Sequence, residues 1–196
     1  MANYSKNSIT QGGNLSYIDS TVSSVIKAPY ALAVNANLNM LYVTNNAHSP
    51  KGNFYISTYS TANSAKGSLL VPYFIEIQTG TGGLHGLALS KDNKILYVSV
   101  SGSGSAPGVY AYDSTMGGQP INPLTGQPSN GQPFVSVNEP WGIAIGSPPP
   151  NGKNPTLYVA SNQDSMIYEY DAKTGAKLSG SIEVSSPTNI TVYPAN

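Results

Sequence analysis

The sequence holds no cysteine, two histidines and one tryptophan, and only 9% of its 196 residues are charged. Without cysteine there is no disulfide framework, no thiol nucleophile and no thiolate zinc site. Nine basic residues stand against nine acidic ones, so no basic field collects nucleic acid or anionic lipid, and neither is expected as a partner. No apolar run is long enough to span a bilayer, and residues 1–10 lack the charged start and apolar stretch of a signal peptide. Helix signals are missing too, since no stretch combines apolar positions at a 3.6 period with freedom from Gly, Pro and β-branched clusters. The length still allows a single domain over residues 1–196 that buries roughly 70% of its unfolded surface without a metal or disulfide staple.

In place of these features the chain has 20 Gly, 15 Pro and 14 Tyr, arranged in a repeat. Ala28-Pro29-Tyr30-Ala31-Leu32-Ala33-Val34 recurs as Gly83-Leu84-His85-Gly86-Leu87-Ala88-Leu89, as Glu139-Pro140-Trp141-Gly142-Ile143-Ala144-Ile145 and as Ser186-Pro187-Thr188-Asn189-Ile190-Thr191-Val192. Steps of 55, 56 and 47 residues separate positions 29, 84, 140 and 187. Leu41-Tyr42-Val43, Leu96-Tyr97-Val98 and Leu157-Tyr158-Val159 follow in the same register. A third run with strand-like alternation ends in a turn residue at Asp19, Ser60, Asp113 and Asp171, and a short fourth run leads back to the first.

Four strands per unit, repeated around an axis, predict an all-β fold: a β-propeller of about four four-stranded blades. The first strand of each unit lines the axis, where Gly86 and Gly142 permit close approach, and Leu32, Val34, Leu87, Leu89, Ile143 and Ile145, with Tyr42, Tyr97 and Tyr158, are expected to be buried between blades. Residues 1–28 are expected to complete the last blade together with the strand at 189–194, so that one blade is split between the N- and C-termini. The three aspartates read as turn caps. The insertion at 116–132 reads as a surface loop without a core pattern.

Leu41-Tyr42-Val43-Thr44-Asn45, with its upstream Pro-x-(Gly/Ala)-(Ile/Leu)-Ala strand, resembles the YVTN-type β-propeller repeat, related to NHL-like and lactonase-like propellers. The resemblance spans nearly the whole chain. It implies a fold rather than an activity, because such blades carry lyases, lactonases, binding hubs and surface-layer proteins. Propellers of this kind usually have more blades than the four that fit here. A small closed ring, two chains sharing a larger ring and a piece of a longer protein all remain open.

One side chain per repeat falls directly after the Pro or Leu that opens the axial strand: Tyr30, His85, Trp141 and Thr188. Converging on one mouth, they would offer aromatic surface and polar tips to a small ligand or glycan; alternatively, they plug a narrow axis. His85 has no second histidine at ligand spacing, so neither a metal nor another cofactor is expected. His48 reads as a loop residue. The axial strands carry no charge, and no catalytic residue set is expected. The leading expectation is a non-catalytic structural or protein-interaction propeller, extracellular or at the cell surface, with a protein partner or self-association. A carbohydrate- or small-ligand-binding propeller is the alternative, and a lyase- or lactonase-like enzyme the third. Asn3, Asn14 and Asn189 head glycosylation sequons.

Overall fold

A computed structural model describes residues 27–62, 68–77, 82–102, 106–115 and 117–192. These residues form three four-stranded antiparallel sheets and no helix. The first sheet is β1 (Pro29–Asn35), β2 (Met40–Asn45), β3 (Phe54–Ser60) and β4 (Leu69–Ile77). The second is β5 (Gly82–Leu89), β6 (Ile95–Gly102), β7 (Gly108–Asp113) and β8 (Val135–Ser136), and the third is β9 (Pro140–Ile145), β10 (Thr156–Ser161), β11 (Met166–Asp171) and β12 (Lys177–Glu183). Each sheet is a meander in which consecutive strands pair. The fold of the described residues is therefore all-β and built from three propeller-like blades, one for each of the first three sequence repeats. Residues 1–26 of the stretch expected to complete the fourth blade, Asp19 among them, lie outside the described residues.

Local chemistry explains the turns. Asn39 and Asn93 take φ of 50° and 59° in the hairpins that follow β1 and β5, a left-handed conformation that asparagine tolerates better than most residues. Asp113 Oδ1 accepts the Thr115 amide at 2.7 Å, and Asp171 Oδ1 accepts the amides of Lys173 and Thr174, each at 2.9 Å. Both aspartates are thus turn caps that shape the corner between the third and fourth strands.

Side-chain size distinguishes the two faces of each axial strand. Ala31 and Ala33 face the second sheet, where Leu87 and Leu89 join Tyr42, Ile56, Leu96 and Val98 in one apolar cluster. One repeat on, Ala88 and Tyr97 pack with Ile143, Ile145, Leu157 and Val159. Small residues therefore point forward to the next blade and branched ones back to the preceding blade. Glycine brings the axial strands closest: a Cβ on Gly86 would lie 2.6 Å from the Trp141 carbonyl oxygen and 3.0 Å from the Ile143 nitrogen.

A buried tyrosine ties each pair of blades. The Tyr42 hydroxyl donates to the Ser114 carbonyl and the Tyr97 hydroxyl to the Ala172 carbonyl, both at 2.6 Å. The two tyrosines are 0% and 1% exposed. Burial pushes the phenol of Tyr97 well above its usual range, so both side chains act as neutral donors.

Three expectations need correction. Leu32 and Val34, read from the repeat as core, are 66% and 53% exposed, because they occupy the backward-facing side of the first blade, where no described blade precedes them. Residues 189–192 are described without strand structure, since no described strand lies alongside to pair with them. The 116–132 insertion is anchored rather than free of the core. Ile121 is buried, its amide donates to the Ala111 carbonyl, and the Asp113 amide donates to Gln119. The insertion thus occupies part of the edge of β7, and β8 is only two residues long.

Two substitutions probe this packing. Ile143→Ala should lower the unfolding free energy by about 2–5 kcal/mol through cavity formation. Gly86→Ala should lower it by about 1–3 kcal/mol through overpacking against backbone that cannot step aside. Chemical denaturation at constant m-value measures both.

Candidate functional site

The mouth of the molecule is built from a repeated backbone corner. Ala28, Glu139 and Ser186 take φ of 47°, 38° and 45°, and each directly precedes a proline. Left-handed backbone is uncommon for non-glycine residues, and a residue before proline ordinarily stays extended. Hydrogen bonds hold two of these corners: the Asn46 amide donates to the Ala28 carbonyl at 3.0 Å and the Asn162 amide to the Glu139 carbonyl at 3.1 Å. Immediately after the corner the ladder slips, between Pro29 and Leu32 in the first sheet and opposite Val159 and Ser161 in the third, and it slips likewise between Leu84 and Leu87 in the second, which lacks the left-handed corner. Such a bulge re-aims the side chain it carries, and here it carries Tyr30, His85 and Trp141.

These three rings meet. His85 stacks on Trp141 with centroids 4.5 Å apart and planes at 9°, and Tyr30 stands edge-on to both, at 5.1 Å from His85 and 5.8 Å from Trp141. Edge-to-face and offset contacts suit the ring quadrupoles. Tyr30 remains 50% exposed. Thr188 is exposed. Its neighbour Asn189 backs onto the axial strand, with its Cα 2.6 Å from where a Cβ on Gly142 would lie.

Polar groups support the cluster from beneath. The His85 Nε2 lies 2.8 Å from Ser101 Oγ, while its buried Nδ1 has no hydrogen-bond partner. Ser99 Oγ accepts the Gly86 amide and donates to the Trp141 carbonyl, linking the second axial strand to the third. Asn46 Oδ1 accepts the Leu84 amide at 2.8 Å and links the first to the second. The sequence reading missed this layer of Asn46, Ser99 and Ser101. Its signal was the run of small polar residues after each Leu-Tyr-Val triplet. Burial holds the His85 imidazolium below the usual histidine range, so the ring stacks as the neutral form.

Elsewhere the titratable groups serve local structure. His48 is an exposed loop residue with Nδ1 2.8 Å from the Gly52 carbonyl. Asp92 accepts from the Ser90 hydroxyl at 2.6 Å, which lowers its pKa, and it caps the hairpin after β5. Among the described residues no three His, Asp or Glu side chains come together as a metal-binding group. Two clefts of about 360 and 320 Å³ open between neighbouring sheets, one beside Tyr73, Tyr110 and Gly118 and the other beside Asp164, Tyr168 and Lys177. Neither is lined by Tyr30, His85, Trp141 or Thr188.

Neutral His85 makes the mouth acid-sensitive. Its folded pKa lies below the unfolded value of 6.5, so the unfolded chain binds the extra proton first. This contribution to stability is full above about pH 6.5 and is lost as the pH falls toward the folded pKa. The thermal midpoint of the parent protein should drop between pH 7 and pH 5, and His85→Gln should flatten that slope.

No family model and no curated protein matches the chain. Solved structures do. A candidate 6-phosphogluconolactonase from Bacteroides fragilis is 21% identical at a TM-score of 0.53, over 82% of this chain and 40% of that one. A gluconolactonase from Xanthomonas campestris is 17% identical at 0.53, over 83% of this chain and 50% of that one. A periplasmic gluconolactonase from Pseudomonas aeruginosa is 18% identical at 0.51, over 82% and 41%. The chain thus spans half or less of the length of these structures. At such identities the likeness is one of fold, and that fold is the one found in lactonase β-propellers.

Proposed function

We propose that this chain is a non-catalytic propeller module, built on YVTN-type repeats, that works by associating with further copies of itself outside the cell or at its surface. The observation that carries the reading is the outer edge of the first blade. β4 ends its sheet, runs for nine residues, and leaves Leu70, Val71 and Tyr73 exposed at 47%, 40% and 39%. An edge strand presents unpaired backbone donors and acceptors, which soluble proteins guard with charge or proline, and β4 has one proline, Pro72. Here Glu76, paired with Lys51 at 2.7 Å, is the sole charged residue within the strand. Apolar side chains beside an edge that no described strand pairs suit strand addition, and a surface poor in charge offers little repulsion against it. The reading invokes no cofactor, nucleic acid or membrane span.

A second reading is favoured by Tyr30, whose half-exposed ring beside His85 and Trp141 offers a stacking surface to a sugar or other planar ligand. Because the three rings pack on one another and line neither cleft, this reading ranks second. A lactonase-like activity draws support from the fold alone and ranks third.

Sedimentation equilibrium tests the first reading. The average mass should rise with concentration, and Val71→Lys should weaken association at least about tenfold, as expected for a charge placed on a pairing edge. A concentration-independent monomer overturns it. Titration of Trp141 fluorescence with mono- and oligosaccharides tests the second, which requires a saturable change lost in Tyr30→Ala.

A further inference from the structure

The sequence contains two Asn-Gly pairs, Asn130-Gly131 and Asn151-Gly152, and both asparagines are exposed on loops. Asparagine before glycine is prone to a spontaneous reaction, because glycine has no side chain to crowd its amide nitrogen as that nitrogen attacks the asparagine side-chain carbon. Folding decides whether the attack can occur, and the two pairs are held differently.

Asn151 is locked in a turn. It takes a φ of 68° after Pro150, and the Gly152 amide donates to the Pro149 carbonyl at 2.8 Å, the pattern of a type II turn. A Cβ on Gly152 would lie 2.6 Å from the Pro149 ring. The nitrogen is thus hydrogen-bonded and crowded, and it must leave its acceptor before it can attack.

Asn130 is the opposite case. The insertion is anchored just before it, where the Ser129 amide donates to the Pro120 carbonyl at 2.9 Å, and shortly after it, where the Phe134 amide donates to the Val109 carbonyl at 2.8 Å. Between these anchors residues 130–133 make no backbone–backbone hydrogen bond among the described residues, and the Gly131 amide has no partner there. Gly131 takes a φ of 72° with open space where a Cβ would stand. Asn130 Oδ1 accepts the Gln132 amide at 3.2 Å, which folds the side chain back over Gly131. When the Gly131 nitrogen attacks Cγ, negative charge collects on that same oxygen, at which the Gln132 amide already points.

We propose that Asn130 is a self-modification site, converting in the folded protein to aspartate and isoaspartate and so adding a negative charge beside β4. The Gly131 nitrogen bonds to Asn130 Cγ and gives its proton to water, the Cγ–Nδ2 bond breaks, and ammonia leaves behind a cyclic imide. Water then opens the imide at Cγ to give aspartate, or at the backbone carbonyl to give the isomer whose chain runs through the side chain. Gly131 lines the cleft that Tyr73, Glu76 and Ile77 of β4 also line. The new carboxylate therefore joins Glu76 near the edge used in the proposed self-association, in a chain whose charges otherwise balance, and it opposes that association. This consequence rests on the self-association reading; the modification itself does not.

Peptide mapping by mass spectrometry, after incubation at neutral and mildly alkaline pH, is the test. In the folded protein the peptide holding Asn130 should gain the mass of an amide NH₂ replaced by OH about fivefold faster than the peptide holding Asn151, the effect of one backbone hydrogen bond. In denaturant the two rates should converge. Equal rates in the folded protein, or a faster Asn151, overturn the site, and a difference that persists unchanged in denaturant overturns its structural origin. Sedimentation equilibrium then compares Asn130→Asp with Asn130→Gln, and the first should associate at least about threefold more weakly, as expected for a charge near a pairing edge. Equal association of the two overturns the charge effect, whereas a parent chain that stays monomeric overturns the self-association reading and leaves the modification site standing.

Discussion

The whole arrangement depends on how closely the axial strands approach one another. At Gly86 and Gly142 the backbone of one repeat rests directly on the backbone of the next, with no room for a single methyl group. That contact sets the spacing between blades, and everything farther from the axis follows from it. Alanine faces alanine-sized space near the contact, and leucine and isoleucine fill the wedge that widens beyond it. The tyrosine hydroxyls reach one fixed carbonyl because the blades are held at one fixed distance.

The same approach explains the mouth. Three side chains separated by more than fifty residues in sequence are carried to within ring contact because each sits on the same slip in the ladder, which in the first and third blades follows a left-handed corner. Strained corners of this kind persist when surrounding structure holds them, and here the amides of Asn46 and Asn162 do so. The result is a packed aromatic cluster with one half-exposed ring. It differs from an open pocket, which is why the outer edge of β4 carries the functional reading and the mouth ranks behind it.

Much of this was legible from residue patterns because the repeat is dense with local signals. The aspartates at 113 and 171 could be read as caps from their place after an alternating run, since an Asx turn needs only its own backbone neighbours. The convergence of Tyr30, His85 and Trp141 was legible once the repeats were aligned. Thr188 was carried into the same set by alignment, and its exposed stretch lies beside β9. Ile121 was hidden in a Gly- and Pro-rich insertion, where no periodicity marks a single residue that turns inward. Ser99 and Ser101 were visible only as small and polar, although they bridge axial strands and support His85.

The sequence by itself determined the period, the order of strands within each blade, the turn chemistry and which side chains share a face, because these depend on alternation and on neighbours a few residues away. Tertiary structure alone decided which faces are covered. Leu32 and Leu87 hold the same place in the repeat, yet one is exposed and the other buried, because burial depends on whether another blade stands opposite. It also decided the partners of Tyr42 and Tyr97, more than seventy residues away, because a hydrogen bond across blades requires the two backbones to be fixed in space first.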